Sequence, residues 1–353
     1  MTLKELIAKI QPLDESAMQS ARARQNRLTK PQGSLGRLEE LSIQLAGMTA
    51  EPLPSIELKT VVVMAADHGV TREGVSAYPA EVTPQMVLNF LQGGAAINVL
   101  ARQMGAQVAI VDMGVAAEIE DTSGKLVRRK IGPGTANLAQ GPAMTREQAI
   151  KSIETGMEIA QVEIARGVDL LVTGDMGIGN TTPSAAIACA LMNQSPETIA
   201  GRGTGVDDDG LKRKIAVITR ALDVNKPDSN DPLDVLAKVG GFEIGGLAGV
   251  ILASAAHRKP VMIDGFISTA AALIAVKLAS QARDYLIASH QSQELGHRLM
   301  LEWLGLKPLL DLNLRLGEGT GAVLAMPIVE AACRTLSEMA TFGEAGVSEK
   351  QPD

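Results

Sequence analysis

From Thr60 onward the chain alternates short apolar runs with longer stretches at helical spacing, and that alternation leaves few architectures open. It is the pattern of βα units feeding a parallel sheet. The candidate strands are Val61 to Ala65, Val108 to Asp112, Leu170 to Thr173, Pro260 to Ile263 and Tyr285 to Ala288, with a last one at Leu309 to Leu316. The expected fold class is therefore α/β, a doubly wound, mostly parallel Rossmann-like sheet with a small helical domain. Most of these runs lead straight into a polar or glycine-rich loop. Open α/β sheets take their ligands at the carboxyl ends of the strands, so the chemistry is to be sought in those loops.

The first 50 residues have a different character. Apolar residues recur at helical spacing in Leu3 to Ile10 and again in Leu35 to Leu45, with the turn LTKPQGSLG, Leu28 to Gly36, between them. A proline-bearing linker, Glu51 to Pro54, separates this start from the rest. The Ala/Met/Ile-rich stretch Val323 to Met339 reads as a long helix, and the polar tail after Phe342 as frayed. The expected organisation is a small helical lobe over 1–50, completed by a C-terminal helix over 323–345, and an α/β domain over 55–322.

Composition narrows the partners. Aromatic residues make up only 2% of the chain, so stacking platforms for nucleic-acid bases are scarce. With 33 basic against 40 acidic residues, the net charge of -7 repels a phosphate backbone except at a local basic pocket. Small anionic substrates stay open; nucleic acid does not. Cys189 and Cys333 have no metal-ligand spacing and are expected to pack as small hydrophobes in a reducing compartment. The start MTLKELIAKIQPLDES carries charges through its apolar pattern, and no stretch is long and uncharged enough for a membrane span. The expected address is the cytoplasm.

Three glycine-bearing segments can carry chemistry. The first is VTGDMGIGNTTPS, Val172 to Ser184, a loop between a buried strand and a helix, where backbone N–H groups can cradle an anion at the positive end of the helix dipole. Gly174, Gly177 and Gly179 permit close approach, and Asn180, Thr181 and Thr182 supply donors or a cap; an ordinary capped βα turn has the same composition. It has no GK[ST] and Thr182 stands where a dinucleotide fingerprint has its third glycine, so a mononucleotide fits better than ATP or NAD. The second is GRGTGVDDDGLKRK, Gly201 to Lys214, in which Gly203, Thr204 and Gly205 resemble a phosphate-approach turn and Asp207 to Asp209 can cap the next helix. Lys212, Arg213 and Lys214 bring positive charge nearby, although a charge run alone is most often a solvated helix face. The third is LGEGTGA, Leu316 to Ala322, which holds Glu318 between two glycines after an apolar run. An apolar setting raises a carboxyl pKa and makes a better proton acceptor once ionised, whereas the plain alternative is a carboxylate favoured by a helix N-terminus. His290 and His297 lack metal-ligand spacing and are expected to pack or face a phosphate, while Asp67 and His68 are expected to shape the site. No metal and no cofactor is expected.

Together these segments resemble the nicotinate-nucleotide–dimethylbenzimidazole phosphoribosyltransferases. The matching motifs are LTKPQGSLGRLE at Leu28 to Glu39, AADHGV at Ala65 to Val70, SAYP with VTPQMV at Ser76 to Val87, GDMGIGNTTPS at Gly174 to Ser184, GRGTG at Gly201 to Gly205 and GEGTGA at Gly317 to Ala322. They span nearly the whole chain, in family order. The resemblance implies a homodimer that transfers the phosphoribosyl group of nicotinate mononucleotide to 5,6-dimethylbenzimidazole, giving α-ribazole 5′-phosphate and nicotinate in the assembly of the cobalamin lower ligand. It places Glu318 as catalytic base, Asp175 as a second active-site carboxylate where the family usually has Glu, and Lys214 near the active site. It assigns Gly177, Gly179, Asn180, Thr181, Gly203, Thr204, Gly205 and Ser292 to the phosphoribosyl group, and Ser76, Tyr78 and Gln85 to the benzimidazole side. Two other classes use similar loops: a nucleotide-binding regulatory protein without turnover, which nicotinate release would exclude, and a hydride-transferring Rossmann enzyme, which nicotinamide-cofactor binding would reveal.

Overall fold

The computed structural model describes residues 1–348. Six parallel strands, β1 Lys59–Ala66, β2 Gln107–Gly114, β3 Leu126–Arg128, β4 Leu170–Met176, β5 Val261–Ile263 and β6 Leu286–Ala288, form one sheet in the order β3-β2-β1-β4-β5-β6. This is the doubly wound order, and the direction of winding reverses between β1 and β4, where such sheets open a crevice at their carboxyl edge.

Helices α1 Leu3–Ile7, α2 Glu15–Gln25 and α3 Arg37–Thr49 precede the sheet. Between β1 and β2 lie α4 Val82–Gln92 and α5 Ala96–Gln103, and α6 Arg146–Ala165 leads into β4. After β4 come α7 Thr181–Met192, α8 Pro196–Ile199, α9 Asp208–Asn225, α10 Pro232–Val239 and α11 Phe242–Ala256. Helix α12 Phe266–Leu278 joins β5 to β6, α13 Leu295–Leu304 follows, and α14 Thr320–Glu338 and α15 Phe342–Ala345 close the described chain.

Helices cover both faces. Every residue of β1 is buried, as a parallel sheet roofed on both sides requires. Gly246 of α11 lies against Met64, whereas Gly319, just ahead of α14, lies against Val61. Three positions apart on a strand, those side chains point to opposite faces. Helix α11 is itself backed by α6 at a crossing that only glycines allow: a Cβ on Gly156 would overlap the carbonyl oxygen of Gly246 and stand 2.6 Å from its carbonyl carbon. The start of the chain meets its end, since Ala17, Ala21, Ala46 and Leu336 form one apolar cluster and Leu28 bridges to Thr341. Leu6, Leu41 and Leu45 join the main core with the sheet.

Two expectations need correction. The strand read at Leu309 to Leu316 is only β8 Leu310–Asp311, paired with β7 His290–Gln291 in a separate two-stranded sheet. Its alternating leucines do not mark a core face, since Leu312 and Leu316 are exposed and Asn313 turns the chain with φ 57°. The tail after Phe342 is not frayed at its start: Thr341 and Glu344 form a reciprocal capping box that begins α15. The short β3 has no matching expectation, because three residues carry too little periodicity to be read.

Candidate active site

At the carboxyl edge of the sheet, over the β1/β4 reversal, lies a cavity of about 620 Å³. Its walls are the loop after β4, the turn at Gly203, the start of α12, the segment from His290 to Glu294, and the irregular stretch Asn313 to Glu318. Val82, Met86, Met176, Ile178 and Phe266 make one side apolar.

Glu318 reaches this cavity without a strand of its own. Its N–H donates to the Asp175 carbonyl oxygen at 3.3 Å, which seats its backbone on the end of β4. Gly174 makes that possible, since a Cβ there would stand 2.5 Å from the Glu318 carbonyl oxygen. Close approach at Gly174 therefore serves the chain itself. Glu318 has φ 64° between Gly317 and Gly319, both also at positive φ, a conformation costly for a residue with a side chain and held here by its neighbours. Asp264, buried at the end of β5, accepts from the N–H groups of Gly319 at 3.2 Å and Ala322 at 2.9 Å. The Glu318 carboxylate in turn accepts from the N–H of Ile97, in the first turn of α5, at 3.3 Å. It does sit at a helix N-terminus, but that of α5 and not of its own helix.

Burial raises the Glu318 carboxyl pKa, the Ile97 bond opposes this, and the Asp264 charge adds to it. Asp175 is raised well above the ordinary carboxylate range by burial, then by Asp264, with Glu243 and Glu318 contributing less and Asn180 opposing. Burial pushes Asp264 up to about 7. Three carboxyl groups with raised pKa are thus gathered near the ends of β4 and β5, and two of them, Asp175 and Glu318, line the cavity.

Beneath the Gly203 turn lies a buried cation. Lys214 is fully buried, unlike its neighbour Lys212, and donates to Thr181 Oγ1 at 2.7 Å and to the Gly201 carbonyl oxygen at 3.2 Å. Burial lowers its pKa to about 8, partly offset by Glu294. The basic run is therefore a solvated helix face at Lys212 and a buried cation at Lys214.

Of the residues picked from sequence, Tyr78, Asp175, Gly177, Asn180, Thr181, Gly203, Thr204, Ser292 and Glu318 line the cavity. Ser76 stands behind it, bonded to Thr204 Oγ1 at 3.1 Å. Gln85 is exposed on α4 outside the lining, whose place is taken by Met86 one residue on. Gly179 turns against Thr71, Gly205 faces a neighbouring cavity, and Lys214 lies beneath the Gly203 turn. The amides of the first glycine loop are partly used at home, since Ile178 donates to Thr83 Oγ1 and Asn180 to the Gly177 carbonyl oxygen. Asp264, Glu294 and Arg315 were not picked as site groups, whereas His290, expected to pack or face a phosphate, lines the cavity. Asp264 follows a candidate strand directly, so the rule that found the other loops also reaches it.

The supporting residues are neutral or paired. His68 bonds Glu243 at 2.7 Å, both buried, and its ring underlies Gly177. His297 accepts from the Ser292 N–H at 2.9 Å and shares its other ring nitrogen with Thr269 Oγ1; burial drops its pKa to about 3. It braces Ser292 as a neutral group. No group of His, Cys, Asp and Glu suited to a metal ion occurs among the described residues. Cys189 and Cys333 are buried, with thiols pushed up to about 12.

The profile of a phosphoribosyltransferase family matches residues 10–347. The nicotinate-nucleotide–dimethylbenzimidazole phosphoribosyltransferase of Roseiflexus sp. (strain RS-1) is 61% identical over 348 residues, covering 99% of this chain and 98% of its own length. The chain belongs to this phosphoribosyltransferase family. The Geobacter sulfurreducens member is 55% identical over 98% of both chains. The crystal structure of the Thermus thermophilus member shares 51% identity and a TM-score of 0.91 over 96% of this chain and all of that one. Motif order, sheet order and full-length identity agree.

Proposed function

We propose that this phosphoribosyltransferase moves the phosphoribosyl group of nicotinate mononucleotide onto 5,6-dimethylbenzimidazole with inversion, releasing nicotinate and α-ribazole 5′-phosphate. The observation that carries this reading is the full-length identity to enzymes of that name, joined to a cavity with a buried carboxylate, Glu318, in its lining and a buried lysine beneath its glycine turn.

The chemistry suits such a site. The glycosidic nitrogen of nicotinate mononucleotide is a cationic pyridinium, so its C–N bond breaks to leave a neutral ring and calls for no strong general acid. One benzimidazole nitrogen attacks the anomeric carbon while the other still carries a proton. Glu318 takes that proton, and the product leaves uncharged at the base. Tyr78, Met86, Met176 and Ile178 would receive the flat acceptor. Thr204, Ser292 and the Gly203 turn, with Lys214 behind them, would hold the phosphate. Fixing the two rings on opposite sides of the anomeric carbon supplies the remaining advantage and turns β into α. Asp175, one methylene shorter than the family's usual Glu, would act as a second buried acid near Glu318.

The homodimer and the cytoplasmic address are part of the same reading. Exposed Tyr78 and Leu316 in the lining of the cavity favour cover by a second copy, and no helix among the described residues is long and apolar enough to cross a membrane.

Incubating the chain with both substrates and a chelator, without ATP, should give nicotinate and α-ribazole 5′-phosphate by mass spectrometry and chromatography. Absence of nicotinate, or activity that requires an added divalent ion, would sink the reading. Lys214 supplies a second expected result. Its folded pKa is lowered to about 8, so the ammonium is present below that pH and lost above it. Affinity for nicotinate mononucleotide should fall as pH rises from about 7 to 9, by up to roughly tenfold per pH unit at the steepest part. Calorimetric titration should show the slope in the unmodified chain, and in Lys214→Met weaker binding without it.

A further inference from the structure

The Gly203 turn already holds an anion, and it comes from the chain itself. Glu294 is 7% exposed and sits just ahead of α13. One carboxylate oxygen, Oε1, accepts the Gly203 N–H at 2.9 Å. The other, Oε2, accepts no hydrogen bond among the described residues. It rests on Gly201, where a Cβ would overlap it and stand 2.9 Å from the carboxyl carbon. The first glycine of GRGTG thus makes room for a side chain of the protein.

Lys214 lies on the other side of the same turn, bonded to the Gly201 carbonyl oxygen, and a Cβ on Gly203 would come within 3.1 Å of its ammonium. The Glu294 charge acts on that ammonium without forming a direct ion pair with it among the described residues. A buried lysine and a backbone N–H are the equipment of a phosphate site, and here both face a carboxylate. A phosphate dianion cannot share that N–H with a carboxylate at contact distance, because like charges in a poorly solvated site repel strongly. Space for the carboxylate exists next door. Glu294 also lines a neighbouring cavity of about 630 Å³ bounded by Arg202 and Arg315, and Arg315 already donates to the Gly203 carbonyl oxygen at 3.2 Å.

We propose that Glu294 is an internal stand-in for the substrate phosphate: its carboxylate holds the Gly203 amide beside Lys214 until an incoming phosphate monoester displaces it toward Arg315, and it returns as the product leaves. This rests on the reading that the Gly203 end of the cavity takes the phosphate. The exchange keeps the turn formed and the buried lysine compensated when substrate is absent. It weakens the grip on every phosphate-bearing ligand, the product included.

The test is calorimetric titration of nicotinate mononucleotide and of inorganic phosphate into the unmodified chain, Glu294→Gln and Glu294→Ala, with thermal melting as the folding control. The amide keeps an acceptor for the Gly203 N–H but removes the charge, so Glu294→Gln should bind both ligands about tenfold more tightly. Unchanged or weaker binding by a folded variant would overturn the exchange and make Glu294 a fixed brace. A second readout needs no substitution: in crystals of the unmodified chain soaked with nicotinate mononucleotide, the Gly203 N–H should donate to phosphate with Glu294 turned away. Phosphate bound with the 2.9 Å carboxylate bond intact would equally overturn it. An unmodified chain that binds neither ligand contradicts the phosphate-site reading itself, and with it the exchange, whereas an active chain with Glu294 unmoved contradicts the exchange alone.

Discussion

Glu318→Gln should lower turnover with dimethylbenzimidazole by about a hundred- to ten-thousand-fold, the usual worth of a positioned proton transfer. The change is nearly isosteric, and the amide oxygen can still accept the Ile97 N–H that now holds the carboxylate at 3.3 Å. Folding should therefore survive. Burial and the Asp264 charge raise the Glu318 pKa, which means that folding disfavours its ionised form. Above that pKa the charge costs stability, so the uncharged amide should leave the melting temperature equal or higher near neutral pH. In the unmodified enzyme the rate should rise with pH as Glu318 ionises, along a limb displaced upward from the ordinary glutamate range. Nicotinate mononucleotide should still bind, because the groups proposed for its phosphate lie across the cavity. The defect should shrink for acceptors that lack the ring proton, since they ask less of the carboxylate. Single-turnover rates and calorimetry on the variant check all of this. Unchanged turnover across neutral pH would move the role of base to Asp175.

The second large effect is one of stability. At Gly156 the atoms that a Cβ would meet are all backbone, the carbonyl carbon of Gly246 at 2.6 Å and its Cα at 2.9 Å, so no side chain can rotate away. Gly249 meets the backbone of Ile153 in the same manner. Adding one methyl at Gly156 must push α6 and α11 apart. Gly156→Ala should cost about 3 kcal/mol or more through overpacking, outweighing the roughly 1 kcal/mol by which alanine improves a helix interior. Denaturant unfolding should show a lower midpoint at unchanged slope. A variant as stable as the parent would mean that the helices pack less closely than these distances require. Activity should suffer too, because α11 carries Glu243, which holds His68 beneath the Gly177 loop.

The βα alternation was legible from Val61 to Ala288 because strands covered on both faces must be apolar throughout, and that signal survives without tertiary knowledge. Apolar patterning misled at Leu309 to Leu316, where leucines alternate as in a strand but two of them, Leu312 and Leu316, are exposed. Sequence found the loop that carries Asp175 because the carboxyl end of β4 is predictable once the strand is, whereas the loops with Thr204 and Glu318 follow no strand of the main sheet and were marked by their glycines. Local composition could not separate Lys214 from Lys212, because burial depends on what packs over α9. The glycines show the same divide. Their number forecast close approaches, but only the packed chain shows that Gly174 admits the backbone of Glu318 and Gly201 the carboxylate of Glu294. What the sequence by itself determined was the order of the longer strands along the chain and which loops line the cavity, both written in local periodicity and turn chemistry. The tertiary structure decided which charges are buried together, because desolvation and Coulombic coupling depend on distances between residues far apart in the chain.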